Sequence, residues 1–197
     1  MTATSAITKE EFLRVVDLLG AQGEEDIAWA EALCAPTTPE NFALETIFVV
    51  CNSGMRYTVA RGIHDRCVKA LADGTPVFDV FKHPGKVAAI EHVWAKRREL
   101  LDGFLTSPDR LAYLKALPWI GGITKFHLAK NFGLDVSKPD VHLQRLADRE
   151  GVSAQALCQR LAVATGWRIA TVDTLLWRAC ADGIIDSRTG QIRGSNQ

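Results

Sequence analysis

The segment LPWIGGITKFHLAKNFGLDVSKPDVHLQR (Leu117–Arg145) decides the reading of this chain. An apolar and glycine-containing hairpin, Leu117-Pro118-Trp119-Ile120-Gly121-Gly122, precedes a helix-patterned run from Thr124 to Asn131. A loop containing Gly133 and Pro139 then delivers Asp140 to the start of another helix. Glycines between two helices let the backbone approach an anion, and the free N–H groups opening the second helix can hold it. A carboxylate one loop later is placed to act on whatever that phosphate is attached to.

Outward from this segment, nearly every periodic stretch predicts helix, and the fold class is all-α. Thr8-x-x-Glu11 is a capping box that opens a helix over 10–19, with Phe12, Val15, Val16, Leu18 and Leu19 as its apolar face. Gly20 and Gly23 are expected to close it, before a second helix over 24–33. Thr38-Pro39-Glu40 opens a helix that becomes almost wholly apolar through Phe42, Leu44, Ile47, Phe48, Val49 and Val50, and so is expected to be central. Asn52-Ser53-Gly54 interrupts that run. Further helices are predicted over 56–72, 84–101, 108–116, 124–131, 141–150, 153–165 and 168–181. The polar tail 187–197 is expected to fray.

Length allows one domain with a substantial core, and no internal repeat or linker divides it. The formal net charge is zero, which excludes a general coat for polyanions. A nucleic-acid binder of this composition needs a local basic patch. Lys115, Lys125, Lys130, Lys138 and Arg145 supply one, opposed in that segment by Asp135 and Asp140. The N-terminal residues lack the apolar run of a signal peptide, and no stretch reaches membrane-span length. The five cysteines (Cys34, Cys51, Cys67, Cys158, Cys180) are odd in number, scattered and without a CxxC pair, as expected of reduced thiols in the cytoplasm. They offer no zinc site. His127 and His142 lack partners at ligand spacing, so no metal or cofactor is expected.

Over Leu114 to Asp148 the chain resembles the helix-hairpin-helix DNA glycosylase superfamily, in particular endonuclease III-like base-excision enzymes. The likeness implies a single domain over 1–197 with two helical lobes: one over 38–145 carrying the hairpin, the other built from 1–37 and 146–197. It implies duplex DNA containing a modified base as partner, with no membrane and no obligate protein partner, in the cytoplasm and on the nucleoid if the source is bacterial. The closely spaced C-terminal cysteines that hold an iron–sulfur cluster in some relatives are missing here. Trp119 stands where the family usually has the first hairpin glycine; packing beneath the hairpin is its expected role, and stacking is the alternative.

In this likeness Asp140, within Pro139-Asp140-Val141-His142, is the catalytic carboxylate. Breaking an N-glycosidic bond builds positive charge on the sugar, which a carboxylate stabilises while it orients or deprotonates the attacking water. Asp140 is also a good helix cap, and the two roles are compatible. Strand-cutting members place a nucleophilic lysine where this chain has Ile123. Lys125, two positions later, is rotated by about 200° on a helix. Hydrolysis without lyase chemistry is therefore expected, with Lys138 as the residue that would complicate it. Trp119, Gly121, Gly122, Thr124, Lys125 and Lys138 are the expected DNA contacts, and hairpin carbonyls are a possible seat for a monovalent cation in the family.

A flipped base leaves a gap to be filled. The break at Asn52-Ser53-Gly54-Met55-Arg56 lies where relatives place the gap-filling residue, so Met55 or Arg56 is a candidate wedge and Asn52 or Ser53 a candidate contact to the orphaned base; a plain turn is the alternative. Asp173 and Trp177, one helical turn apart, are candidates for the base pocket, against the alternative of an exposed acid beside a core tryptophan. Two other readings stay open. One is a helix-hairpin-helix protein that binds DNA without catalysis. The other is the same chemistry directed at modified phage bases.

Overall fold

The computed structural model describes residues 6–193, which form ten α-helices and one 3-10 turn without extended strands. In chain order the helices are α1 (Lys9–Leu19), α2 (Ala21–Glu31), α3 (Pro39–Asn52), α4 (Tyr57–Asp73), α5 (Pro84–Thr106), α6 (Arg110–Ala116), α7 (Thr124–Asn131), α8 (Val141–Glu150), α9 (Ala154–Thr165) and α10 (Ile169–Ala181). The chain forms two compact units, one from residues 35–132 and one from both chain ends, 1–34 and 133–197. Residues 133–145, expected with the hairpin lobe, therefore pack with the chain ends.

Caps set most boundaries. Thr8 Oγ1 accepts from Glu11 N at 3.1 Å while Thr8 N donates back to Glu11 Oε2 at 2.9 Å, completing the capping box. Thr38 caps α3 with Pro39 in its first turn. Gly20 alone separates α1 from α2, because its φ of 56° reverses the chain. Gly23, expected as part of that break, lies inside α2. A Cβ there would come within 3.0 Å of the Leu19 Cβ, so its role is close helix packing. Leu18 is exposed, leaving Phe12, Val15 and Leu19 as the buried face of α1. Helix α5 runs past the expected end to Thr106, and α6 starts at Arg110, two residues later than expected, because Asp109 caps it.

In the unit of the chain ends, α10 packs against α1, α2, α8 and α9, burying Leu143, Leu146, Leu157, Leu161, Val172, Leu175 and Leu176. Of the tail expected to fray, the described part up to residue 193 is folded: Asp186 N donates to Gln191 O at 2.9 Å and Arg193 N to Ile184 O at 2.8 Å, with Ile185 and Ile192 buried. Apolar residues spaced around this turn give it a reason to fold. Residues 1–5 and 194–197, the start of the chain and the end of its polar tail, lie outside the described residues.

In the other unit, α3 packs on α4, α5 and α7, and Phe42, Phe104 and Phe132 meet with ring centroids 5.0–6.0 Å apart. The expected centrality of α3 holds for this unit, although Leu44 and Phe48 are only half-buried. No helix among the described residues is long and apolar enough to cross a membrane.

Glu45 on α3 is half-buried, and burial holds its carboxyl above the usual range; the Asn131 amide, which donates to Oε1 at 2.5 Å, only partly offsets this. A folded pKa above the unfolded one means that Glu45 favours folding below the unfolded pKa. That contribution is lost as pH rises through the folded value. Glu45→Gln keeps an acceptor for Asn131 and adds a donor near Asn131 Oδ1, which is buried and unpartnered. Thermal melts should show Glu45→Gln more stable than wild type at pH 7 to 8, with the gain gone near pH 4. Equal differences at both pH values would contradict this account.

Candidate functional site

The carboxylate side is built on the loop 133–140, which the chain-end unit holds down at every second residue or so. Arg168 Nη2 donates to Gly133 O at 2.7 Å, and its Nη1 donates to Ala30 O and Leu33 O, both at 2.9 Å. Ala170 N donates to Asp135 Oδ1 at 3.0 Å, Ser137 N to Gln155 Oε1 at 2.9 Å, and Lys138 N to Asp173 Oδ1 at 2.6 Å. The loop therefore ends in a fixed place, and Asp140 emerges from it as the N-cap of α8.

Asp140 Oδ1 takes both capping bonds, from His142 N at 2.9 Å and Leu143 N at 3.1 Å. Its second oxygen meets no protein donor among the described residues, and the residue is half-buried. One oxygen thus orients the side chain, and capping leaves the other oxygen unused. His142 Nδ1 lies 3.0 Å from Ser187 Oγ, so the folded tail braces the first turn of α8. Burial pushes the neighbouring Cys180 thiol up to about 12, with Asp140 and Asp186 adding to the effect.

Asp173 is not the exposed acid of the alternative reading. It is only 2% exposed, and its Oδ1 is committed to the Lys138 amide, so it anchors the loop ahead of Asp140. Trp177, one turn along α10, packs partly buried against the core of this unit, with the Arg178 guanidinium 5.2 Å from its ring.

In the other unit the hairpin between α6 and α7 exposes Gly121 and Gly122. A Cβ on Gly121 would meet nothing closer than Thr124 Oγ1 at 3.8 Å, and one on Gly122 would meet nothing. The N–H groups from Gly121 to Thr124 find no protein acceptor among the described residues. Ile123, between these glycines and α7, is 49% exposed. Lys125 Nζ lies 4.8 Å from the Phe126 ring centroid. Lys130, counted in the basic patch, is instead buried, because α7 turns it into the interior. Lys138 and Arg145 fall in the chain-end unit, leaving Lys115 and Lys125 beside the hairpin.

Trp119 departs from expectation. It is 42% exposed rather than core, and it alone among described non-glycine residues has positive φ, at 66°. Its ring rests against Gly85, where a Cβ would lie 2.5 Å from Trp119 Cζ3, and stands edge-on to His83 with centroids 5.0 Å apart. The next residue of α5, Lys86, is buried. Its ammonium donates to Ser53 O at 2.6 Å and Cys51 O at 3.1 Å, satisfying the last carbonyls of α3. Burial lowers the Lys86 pKa. The start of α5 thus brings the Asn52–Arg56 turn and the hairpin to one end of this unit. Asn52, Ser53 and Met55 are half-buried there, and Arg56 is exposed. Sequence reasoning missed Lys86, Gln155 and Ser187. For Lys86 a signal existed, since it shares a helical face with Ala89 and Ile90.

Among the described residues no cluster of three or more His, Cys, Asp or Glu could hold a metal. No family model and no curated protein matches this chain. The solved structures include the 8-oxoguanine DNA glycosylase of Thermotoga maritima, similar at a TM-score of 0.63 over 93% of this chain and 98% of that one, at 16% identity. This chain shares the helical fold of that DNA glycosylase.

The commitment of Asp173 to the loop generates a prediction. Asp173→Ala leaves the Lys138 amide without its acceptor and should cost about 1–3 kcal/mol in denaturant unfolding. Limited proteolysis should then cut first within 133–140. Unchanged stability and an uncut loop would remove its anchoring role.

Proposed function

We propose that this chain is a DNA glycosylase of the helix-hairpin-helix superfamily, acting in base excision on a damaged or modified base flipped from duplex DNA. The observation that carries this reading is Asp140, whose Oδ1 is spent on the α8 amides while Oδ2 is left without a protein donor. Together with the shared glycosylase fold, that arrangement supports attack by water on the anomeric carbon. Oδ2 stabilises positive charge on the sugar as the base departs, and it takes the proton from the incoming water. The pinned 133–140 loop supports catalysis because a preorganised carboxylate needs no rearrangement during the reaction.

The unpartnered amides of Gly121 to Thr124 are the phosphate anchor in this proposal, with Lys125 adding local positive charge. Met55 or Arg56 fills the gap left by the base, and Asn52 or Ser53 meets the orphaned partner. Asp173 is assigned a positioning role rather than direct contact with the base, and Trp177 remains a candidate wall of the base pocket. The protein named for the similar fold acts on 8-oxoguanine, so that lesion heads the substrate panel. The alternative of a DNA-binding protein without catalysis predicts binding and no base release.

The test is a panel of duplexes, each with one modified base, followed by abasic-site detection. Asp140→Asn preserves the cap, since asparagine ranks with aspartate there. It should lower base release by roughly hundredfold or more and leave DNA affinity intact. Unchanged turnover in Asp140→Asn would leave Asp140 as a cap only.

Strand cleavage is a separate question. A lyase needs a neutral amine at the sugar. Ile123 supplies none, and Lys125 lies over the Phe126 ring. The product should be an intact strand with an abasic site, nicked only by later alkali or heat, with little borohydride-trapped adduct. Efficient trapping that vanishes in Lys138→Ala would make the 133–140 loop the source of a nucleophile.

A further inference from the structure

An aromatic residue in the left-handed region crowds its Cβ against the backbone, a strain that glycine does not feel. Trp119 carries that strain at φ 66° in a position where glycine would be free of it. Burial does not account for the arrangement, because 42% of the residue is exposed. The ring is nevertheless held firmly. Its benzo edge, through Cζ3, Cη2 and Cε3, lies against the backbone of Gly85, a place where any side chain would displace it. The His83 ring, which caps α5 by accepting from Lys86 N at 3.3 Å, stands against it edge-on. A rigid, half-exposed indole thus sits two residues from Gly121, where the run of unpartnered amides begins. Strain held in place by surrounding contacts is a feature of ligand sites.

We infer that Trp119 is a stacking platform for a nucleobase of the DNA strand whose phosphate the Gly121–Thr124 amides hold. This rests on the DNA-binding reading above. The amides say what covers the ring: a nucleotide anchored by its phosphate within two residues has its base or sugar within reach of the indole. Stacking on an aromatic side chain strengthens the grip without reading sequence. It also adds affinity without adding charge, which suits a chain of zero net charge with few lysines beside the hairpin.

The experiment measures affinity for a fluorescein-labelled duplex carrying one tetrahydrofuran abasic analogue, across a salt series. Trp119→Gly relieves the backbone strain, so its melting temperature should match or exceed that of wild type. Its dissociation constant should rise roughly tenfold, with the slope of log affinity against log salt unchanged because no phosphate contact is lost. Gly85→Ala, which pushes the ring off its seat while leaving Trp119 in the chain, should weaken binding in the same way, and Trp119→Phe should restore most of it. Gly121→Val is the control for the anchor and should reduce both affinity and the salt slope. Wild-type affinity in Trp119→Gly alongside loss in Gly121→Val would overturn the stacking role and leave the anchor standing. A wild-type protein that does not bind the duplex would overturn both.

Discussion

The buried carboxylate of Asp173 and the Lys138 amide that it accepts are the contact on which the candidate chemistry depends. A carboxylate this deep must be satisfied or it destabilises the fold, and the 133–140 loop supplies its donor. The reverse also holds, because a loop with no regular structure of its own needs acceptors for its N–H groups. Asp135, Gln155 and Asp173 together turn a chain reversal into a fixed approach to α8. The position of Asp140 follows from that approach. Its own cap then sets its rotamer by using one oxygen and sparing the other.

The second unit solves a similar problem with a cation. The C-terminal carbonyls of α3 would be orphaned beneath the start of α5, and the Lys86 ammonium meets them. That fixes the turn 52–56 against α5, and the residues just before Lys86 seat Trp119. Two buried ionisable side chains, Asp173 in one unit and Lys86 in the other, therefore hold the segments that the proposed function uses. In each case the polar group is bonded to backbone, so the geometry it imposes does not depend on the rotamer of a partner side chain.

Backbone strain and open backbone donors meet on the hairpin. The left-handed Trp119, the exposed Ile123 and the open amides of Gly121 to Thr124 all fall within six residues, whereas α5 and α6 have side-chain caps from His83 and Asp109. Natural sequences tolerate such local departures where binding compensates for them.

Local chemistry was enough to read the helical class, the boundaries of α7 and α8, the capping box at Thr8 and the aspartate at the head of α8. Periodicity and caps act within one or two turns, so a linear string carries them. The open hairpin glycines were legible for the same reason. Burial was not, because it depends on which helix faces which. Only tertiary packing decided that Lys130 points inward, that Trp119 is half-exposed on Gly85, and that Asp173 is sealed from solvent. It also folded the tail through the Ile185–Ile192 pairing, where composition alone spoke for fraying. Above all, packing joined residues distant in sequence, Lys138 to Asp173 and Lys86 to Ser53, since a buried polar group takes whatever partner the fold brings within hydrogen-bond reach.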